Sequence, residues 1–239
     1  IAGRAIEMVR INGTGGGLHP GPGLVLVHGN LSHARRMIPI ALDLVNLGFS
    51  VVLVSLPGYG GSAGPTEFAG PVTTGAIEAA LDTLARMSGV DTTRIGLWGV
   101  GHGATAAALV AARRPSLAGV VLTAGIYDPE ATERDGKSAA IRDLIRRDAG
   151  KDPTAWRQRS PLERAASLAM PVLLVHAPED ATAPIAQAEA YEAALRSNGT
   201  HVKLVHERGA GRFSIPDDTH GPSVIFLRDR VLMRHVLGQ

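Results

Sequence analysis

The sequence contains no cysteine, which excludes disulfide bonds, thiolate metal sites and a cysteine nucleophile. Aromatic residues are scarce, at 4% of the 239 residues, and no apolar run reaches the roughly 18 residues that a membrane span needs. Charge of one sign is also missing, because 24 basic residues face 22 acidic ones and the paired arginines are scattered. We therefore expect neither a membrane span nor a nucleic-acid-binding face.

Apolar residues make up 45% of the chain, and there are 29 glycines. The apolar fraction excludes a disordered chain, and the length is sufficient for one sizeable core, so we expect a single domain over residues 1–239. Apolar segments typical of buried strands alternate with helical patterns. This alternation predicts an α/β protein with a doubly wound, mostly parallel sheet. The predicted strands are residues 5–11, 24–28, 50–55, 95–98, 119–124, 171–176 and 201–207.

The connection between the fifth and sixth predicted strands is longer than a usual crossover. It is rich in charge and has helical patterns near Lys137–Asp148 and Pro161–Leu168. We expect residues 129–168 to form a small helical lid inserted in the same domain. Ligands of doubly wound sheets bind at the carboxyl ends of the strands, so the loops after the strands are the expected site.

Four segments include or follow these carboxyl ends, and their order and spacing are more informative than any one of them alone. They are Val27–Asn30, the glycine-rich Pro57–Ser62, Ile95–Gly103 and Pro171–Asp180. Together they resemble the α/β-hydrolase superfamily, and Ser160–Leu162 also resembles its esterase and prolyl-peptidase-like branch. The resemblance implies an α/β-hydrolase fold and a small-molecule pocket for an ester or amide. It implies no cofactor, and the histidines have no spacing typical of a metal site.

The family carries its nucleophile in a Gly-x-Ser-x-Gly turn between a strand and a helix. Residues 99–103 of this chain are Gly-Val-Gly-His-Gly, which places Gly101 at the nucleophile position. Glycine has no side chain, so no covalent acyl-enzyme forms there. The backbone N–H of His102 is a candidate oxyanion donor, and the resemblance implies a second donor at Asn30 or Leu31.

The other two members of a catalytic triad have unequal support. Asp180 occupies the family's acid position, although a helix cap or turn residue is an alternative for it. The usual histidine position is occupied by Arg212, which is too basic to act as a general base but is able to pair with Asp180. His220, further along the same loop, is the alternative base, or else an exposed residue before the last helix.

Two hypotheses for function follow from the missing serine. The first is an altered family member that binds a small apolar or ester-like ligand, or catalyses a non-covalent reaction such as proton transfer. The second is an esterase- or peptidase-like serine hydrolase whose nucleophile has been replaced at Gly101, with His220 as base. A cytoplasmic location is expected, with a removed signal peptide as the alternative because the chain begins at Ile1.

The same glycines permit a hypothesis from another class. Gly99–Ala104 satisfies the Gly-x-Gly-x-x-Gly/Ala pattern of dinucleotide-binding oxidoreductases, with Asp128 as a ribose-binding acid. However, several elements precede the motif, and the spacing to Asp128 is longer than usual. This alternative also leaves the segments around His28 and Asp180 unexplained.

Overall fold

The computed structural model describes residues 3–13, 19–207 and 220–233. Seven strands form one sheet in the order β1-β3-β2-β4-β5-β6-β7. The first strand pairs antiparallel with β3, and every other pairing is parallel. The prediction of a doubly wound, mostly parallel α/β sheet is therefore confirmed. The strands are Met8–Ile11 (β1), Gly21–Val27 (β2), Ser50–Val54 (β3), Val90–Val100 (β4), Gly119–Thr123 (β5), Val172–His176 (β6) and Val202–His206 (β7).

Helices cover both faces of the sheet, because successive strand residues point to opposite sides and both sides are apolar. The helices are Ile38–Asn46 (α1), Pro71–Ala85 (α2), His102–Ala111 (α3), Pro129–Asp135 (α4), Ala139–Ala149 (α5), Pro153–Gln158 (α6), Ile185–Ser197 (α7) and His220–Leu227 (α8). In β2, Val25 and Val27 pack into the core beneath α2, α3 and α7, whereas Leu24 and Leu26 pack into the core beneath α1 and α8.

Some element boundaries differ from the predicted ones. A 3₁₀ turn at Ala34–Met37 directly precedes α1. Strand β4 starts at Val90, five residues before the predicted start, because its first half is polar and reads as a loop. Arg94 fixes this half: it donates to the Asp91 carboxylate at 2.8 Å and to backbone carbonyls elsewhere in the chain.

The segment between β5 and β6 contains more helix than the sequence indicated. It holds α4, α5 and α6, followed by a 3₁₀ turn at Leu162–Ser167. Both short helices that the prediction missed begin with a proline after an aspartate cap. Asp128 accepts a hydrogen bond from the N–H of Ala131, and Asp152 accepts one from the N–H of Thr154. These caps stabilise helices too short for a clear apolar period.

Candidate functional site

Gly101 forms a sharp turn between β4 and α3. The strand ends at Val100, the helix begins at His102, and Gly101 adopts φ 53° and ψ −120°. This is a backbone conformation that glycine reaches without the penalty paid by other residues. The N–H of Gly101 donates to the carbonyl of Thr123 at 2.7 Å, which ties the turn to the end of β5.

The glycines on either side of this turn have a packing role. A Cβ on Gly99 would clash with the backbone of α3, because it would overlap the carbonyl oxygen of Gly103 and lie 2.7 Å from the Cα of Ala104. A Cβ on Gly103 would collide in the same way with the carbonyl oxygens of Val27 and His28. The strands and α3 therefore approach each other more closely than any side chain permits. This packing accounts for the glycine spacing without a bound dinucleotide, and Asp128 of the rival motif serves as the cap of α4.

His102, at the first position of α3, is buried and faces the loop before α2. Its Nε2 accepts a hydrogen bond from the N–H of Ala69 at 2.9 Å, and its ring stacks on Phe68 with centroids 5.0 Å apart. Burial lowers the pKa of His102 to about 4, so the ring is neutral at physiological pH. The imidazole thus anchors a loop, while the predicted oxyanion role of its N–H stays a prediction.

The loop after β2 contains Asn30 and Leu31, the other predicted oxyanion residues. Asn30 is buried, and its Oδ1 accepts a hydrogen bond from the Tyr59 hydroxyl at 2.6 Å. Leu31 has φ 58°, which is unusual for a residue with a Cβ, and its side chain is 73% exposed. Such strain persists only where the surroundings hold it, and it is common at functional sites. Tyr59 was not predicted from the sequence, although it lies in the glycine-rich motif Pro57–Ser62.

His28 connects this loop to the loop after β3. Its Nδ1–H donates to the carbonyl of Gly29 at 2.6 Å, and its Nε2 accepts from the N–H of Leu56 at 2.9 Å. Both ring nitrogens are used, and burial lowers the pKa of His28 to about 4. His28 is therefore a neutral structural bridge between the two loops.

Asp180 lies in the loop after β6, with its carboxylate 4% exposed. Oδ1 accepts hydrogen bonds from the N–H and the hydroxyl of Thr182, at 2.7 and 2.6 Å, and from the N–H of Ala183 at 3.0 Å. Oδ2 is buried and has no hydrogen-bond partner within the described part of the chain. His176 comes within 3.8 Å of Oδ2, but its Nε2–H donates to the carbonyl of Ala183. Among the described residues, Asp180 therefore stabilises its own loop through Oδ1, and Oδ2 accepts no hydrogen bond.

Neither predicted triad partner of Asp180 has a side chain within the described part of the structure. Arg212 lies outside the described residues. His220 is the first residue of α8, and its side chain is likewise outside what is described. Both assignments therefore stay predictions.

An open cleft of about 590 Å³ adjoins the Asn30 loop. One wall comes from residues 30–32, a second from residues 58–60 with Thr66, and a third from Ala140, Leu144 and Arg147 of α5. The charged segment between β5 and β6 thus contributes directly to the cleft beside the predicted oxyanion loop.

Residues 66–69 join this segment to α3. The carboxylate of Asp148 accepts from the Thr66 hydroxyl at 3.0 Å, and its carbonyl accepts from the N–H of Phe68 at 3.1 Å. Arg159 donates to the carbonyl of Phe68 at 2.9 Å. Because Ala69 bonds to His102, the same four residues are held from both sides.

Among the described residues, no group of three or more histidine, aspartate or glutamate side chains is arranged to hold a metal ion. In those same ranges, no helix is both long and apolar enough to cross a membrane.

Residues 44–220 match the prolyl oligopeptidase family, a stretch that includes both the Gly101 turn and Asp180. The chain belongs to the prolyl oligopeptidase family. This membership confirms the predicted α/β-hydrolase superfamily. A Mycobacterium tuberculosis protein described as uncharacterized is 34% identical over 98 residues, which are 41% of this chain and 34% of that protein.

Solved structures share the fold of this prolyl oligopeptidase family member at low identity. The Pyrococcus horikoshii acylaminoacyl peptidase superposes with a TM-score of 0.82 and 19% identity, covering 95% of this chain and 40% of the peptidase. Est1E from Butyrivibrio proteoclasticus, solved with ferulic acid bound, gives 0.74 and 17%, covering 96% of each chain. This chain therefore spans less than half of the peptidase but nearly all of Est1E.

Proposed function

We propose that this chain is a peptidase- or esterase-like family member that binds a small ester- or amide-type ligand and forms no covalent acyl-enzyme. The proposal rests mainly on the presence of glycine, without a side chain, at the strand-to-helix turn. Gly101 occupies the sharp turn between β4 and α3, with φ 53° and ψ −120°, and it has no side chain that could act as a nucleophile. Binding, or non-covalent chemistry such as proton transfer, is what such a site retains.

The surroundings of the turn support a retained pocket. Gly99 and Gly103 allow the close strand–helix packing that an elbow requires, and the N–H of His102 opens α3 immediately after the turn. A helix N-terminus favours negative charge, so this N–H suits a carbonyl oxygen or an oxyanion. The cleft beside Asn30 gives a ligand room next to the second predicted donor.

We further propose that residues 129–168 act as a small lid within one domain, without a core of their own. Support comes from α5, whose residues Ala140, Leu144 and Arg147 form one wall of the cleft. Since α5 and the loops of the sheet line the same cleft, this segment packs as part of the domain and not as a separate folding unit.

A second candidate function is a serine hydrolase whose nucleophile was replaced at Gly101. One observation favours it: the buried Oδ2 of Asp180 lacks a partner among the described residues. A buried carboxylate oxygen is costly to leave unpaired, and a triad imidazole, with His220 as the candidate, would satisfy it.

Gly101→Ser separates the two candidates. Wild type, Gly101→Ser and Gly101→Ala are treated with a fluorophosphonate probe and assayed with short p-nitrophenyl esters. We expect all three to stay unlabelled and inactive, because a serine without a working base is a weak nucleophile. Labelling of Gly101→Ser alone would overturn the proposal in favour of the replaced-nucleophile candidate.

Gly101→Ala is the matched control, since it imposes the same backbone strain without a hydroxyl. A cooperative urea-unfolding transition of Gly101→Ser, with an unfolding free energy equal to that of Gly101→Ala, shows that an inert serine variant is still folded. Fluorescence titration with NADH tests the dinucleotide alternative on the same samples, and no binding is expected. Saturable NADH binding would contradict both hydrolase-like candidates.

A further inference from the structure

Arg147, on the α5 wall of the cleft, forms an ion pair with its neighbour in the chain. Its Nε donates to Oδ1 of Asp148 at 2.7 Å and its Nη2 to Oδ2 at 3.0 Å. The carboxylate is held again by the Thr66 hydroxyl. A bidentate contact fixes the plane of the guanidinium and so lowers the entropy lost when the same group binds a second partner.

The pair is oriented with its anion inward and its cation outward. The Asp148 side chain is 2% exposed, whereas that of Arg147 is 63% exposed and borders the cleft. The Nη1 amino group has no hydrogen-bond partner within the ranges that the structure describes. A ligand in the cleft therefore meets the positive end of the pair, with one guanidinium edge still able to donate.

The rest of the cleft complements an anion with an apolar body. None of its described lining residues is acidic. Asn30 uses Oδ1 for Tyr59, which leaves its Nδ2 as a further donor without a described partner. Leu31, Ala140 and Leu144 supply apolar side chains to the same lining.

We propose that Arg147 is a specificity-determining residue that binds a carboxylate on the ligand of this cleft. The inference rests on the proposed function and deepens it, because it names the ligand class: an acid that combines an ester or amide with an apolar group and a free carboxylate. Asp148 is the positioning residue that holds the guanidinium in place.

Binding of N-acetylphenylalanine is compared with that of its methyl ester, which keeps the amide and the ring but lacks the charge. Affinities of the wild-type chain for both are measured by calorimetry at low and at high ionic strength. We expect the acid to bind about tenfold more tightly than the ester, a ratio that corresponds to about 1.4 kcal/mol. The ratio should fall as salt is raised, because this part of the cleft is open to solvent.

Arg147→Gln should reduce the ratio to about one, without weakening the ester. Arg146→Gln is the matched control: Arg146 precedes Arg147 on the same helix and pairs with Glu133 and Asp143, and it does not line the cleft. It should keep the wild-type ratio. Because Arg147→Gln leaves the buried Asp148 carboxylate uncompensated, the double variant R147Q/D148N is measured as well, and it should also show no preference.

Equal affinity of wild type for acid and ester would overturn the inference while leaving the proposed function standing. A preference that survives in both Arg147 variants would also overturn it, since another group would then hold the carboxylate. Failure of wild type to bind either compound would count against the proposed function and remove the inference with it.

Discussion

The Gly101 turn and the Asp180 loop follow strands on either side of β5, and the two predicted site positions differ in what the structure shows there. At Gly101 the backbone has an unusual conformation and a tight packing environment, but there is no side chain. At Asp180 the carboxylate is present and buried, and within the described ranges only Oδ1 accepts hydrogen bonds. Backbone geometry at such a site is thus enforced by packing around it, independently of whether the chemistry that would use it is present.

The largest effect is expected from breaking the packing that holds the turn. Gly103→Ala places a Cβ against the carbonyls of Val27 and His28, which are backbone atoms with no freedom to move aside. We expect a loss of about 4 kcal/mol in the free energy of unfolding, measured by urea denaturation.

Gly221→Ala in α8 is the control for this substitution. A Cβ at Gly221 meets nothing within 4 Å, so this change should be neutral or slightly stabilising in a helix. Equal urea midpoints for Gly103→Ala and wild type would show that the close approach at the turn is not required.

The next largest effect concerns the histidine packed beneath the turn. Burial lowers the pKa of His102 from 6.5 to about 4, so the unfolded chain takes up a proton before the folded one does. The stability that the neutral ring supplies is therefore complete above pH 6.5 and is lost as the pH falls towards 4. At about 1.4 kcal/mol per pKa unit, the loss is about 3 kcal/mol.

Urea unfolding across this pH range, in wild type and in His102→Gln, checks the expectation. Glutamine retains an acceptor for the Ala69 N–H but does not titrate, so the variant should lose less stability on acidification. His28, whose pKa is also lowered to about 4, continues to contribute in both proteins. Identical slopes for the two proteins would mean that His102 does not remain neutral in the fold.

The smallest effect is expected at Asp180, and it tests most directly how the Asp180 loop differs from the Gly101 turn. Asp180→Ala removes the acceptor of three hydrogen bonds and should cost about 2 kcal/mol. Asp180→Asn retains an acceptor at Oδ1, so if the residue is only a turn element it should cost less than about 1 kcal/mol. Both are measured by thermal and urea denaturation. An asparagine variant as unstable as the alanine variant would instead point to a cationic partner on Oδ2.

The sequence was sufficient for the sheet, because continuous apolar runs such as Val51–Val54 are typical of strands buried on both faces. It was less informative for α4 and α6, which are too short for a periodic pattern. A usable signal was nonetheless present: Asp128 and Asp152 each precede a proline, the order found at helix N-termini.

The turn at Gly101 and the loop that holds Asp180 could be predicted because motifs record local order along the chain, and the catalytic roles of the two residues stay predictions. Their surroundings could not, since the partners come from distant segments. Tyr59 reaches Asn30 across two loops, and Ala69 reaches His102 from the loop before α2. Such contacts depend on which strands are neighbours in the sheet, and no spacing in the sequence encodes them.

Residues 66–69 connect the cleft wall to the helix that follows Gly101. Their hydrogen bonds reach Asp148 of α5 and Arg159, just after α6, on one side and His102 of α3 on the other. The wall of the cleft and the first turn of α3 therefore belong to one hydrogen-bonded network, although Gly101 does not line the cleft.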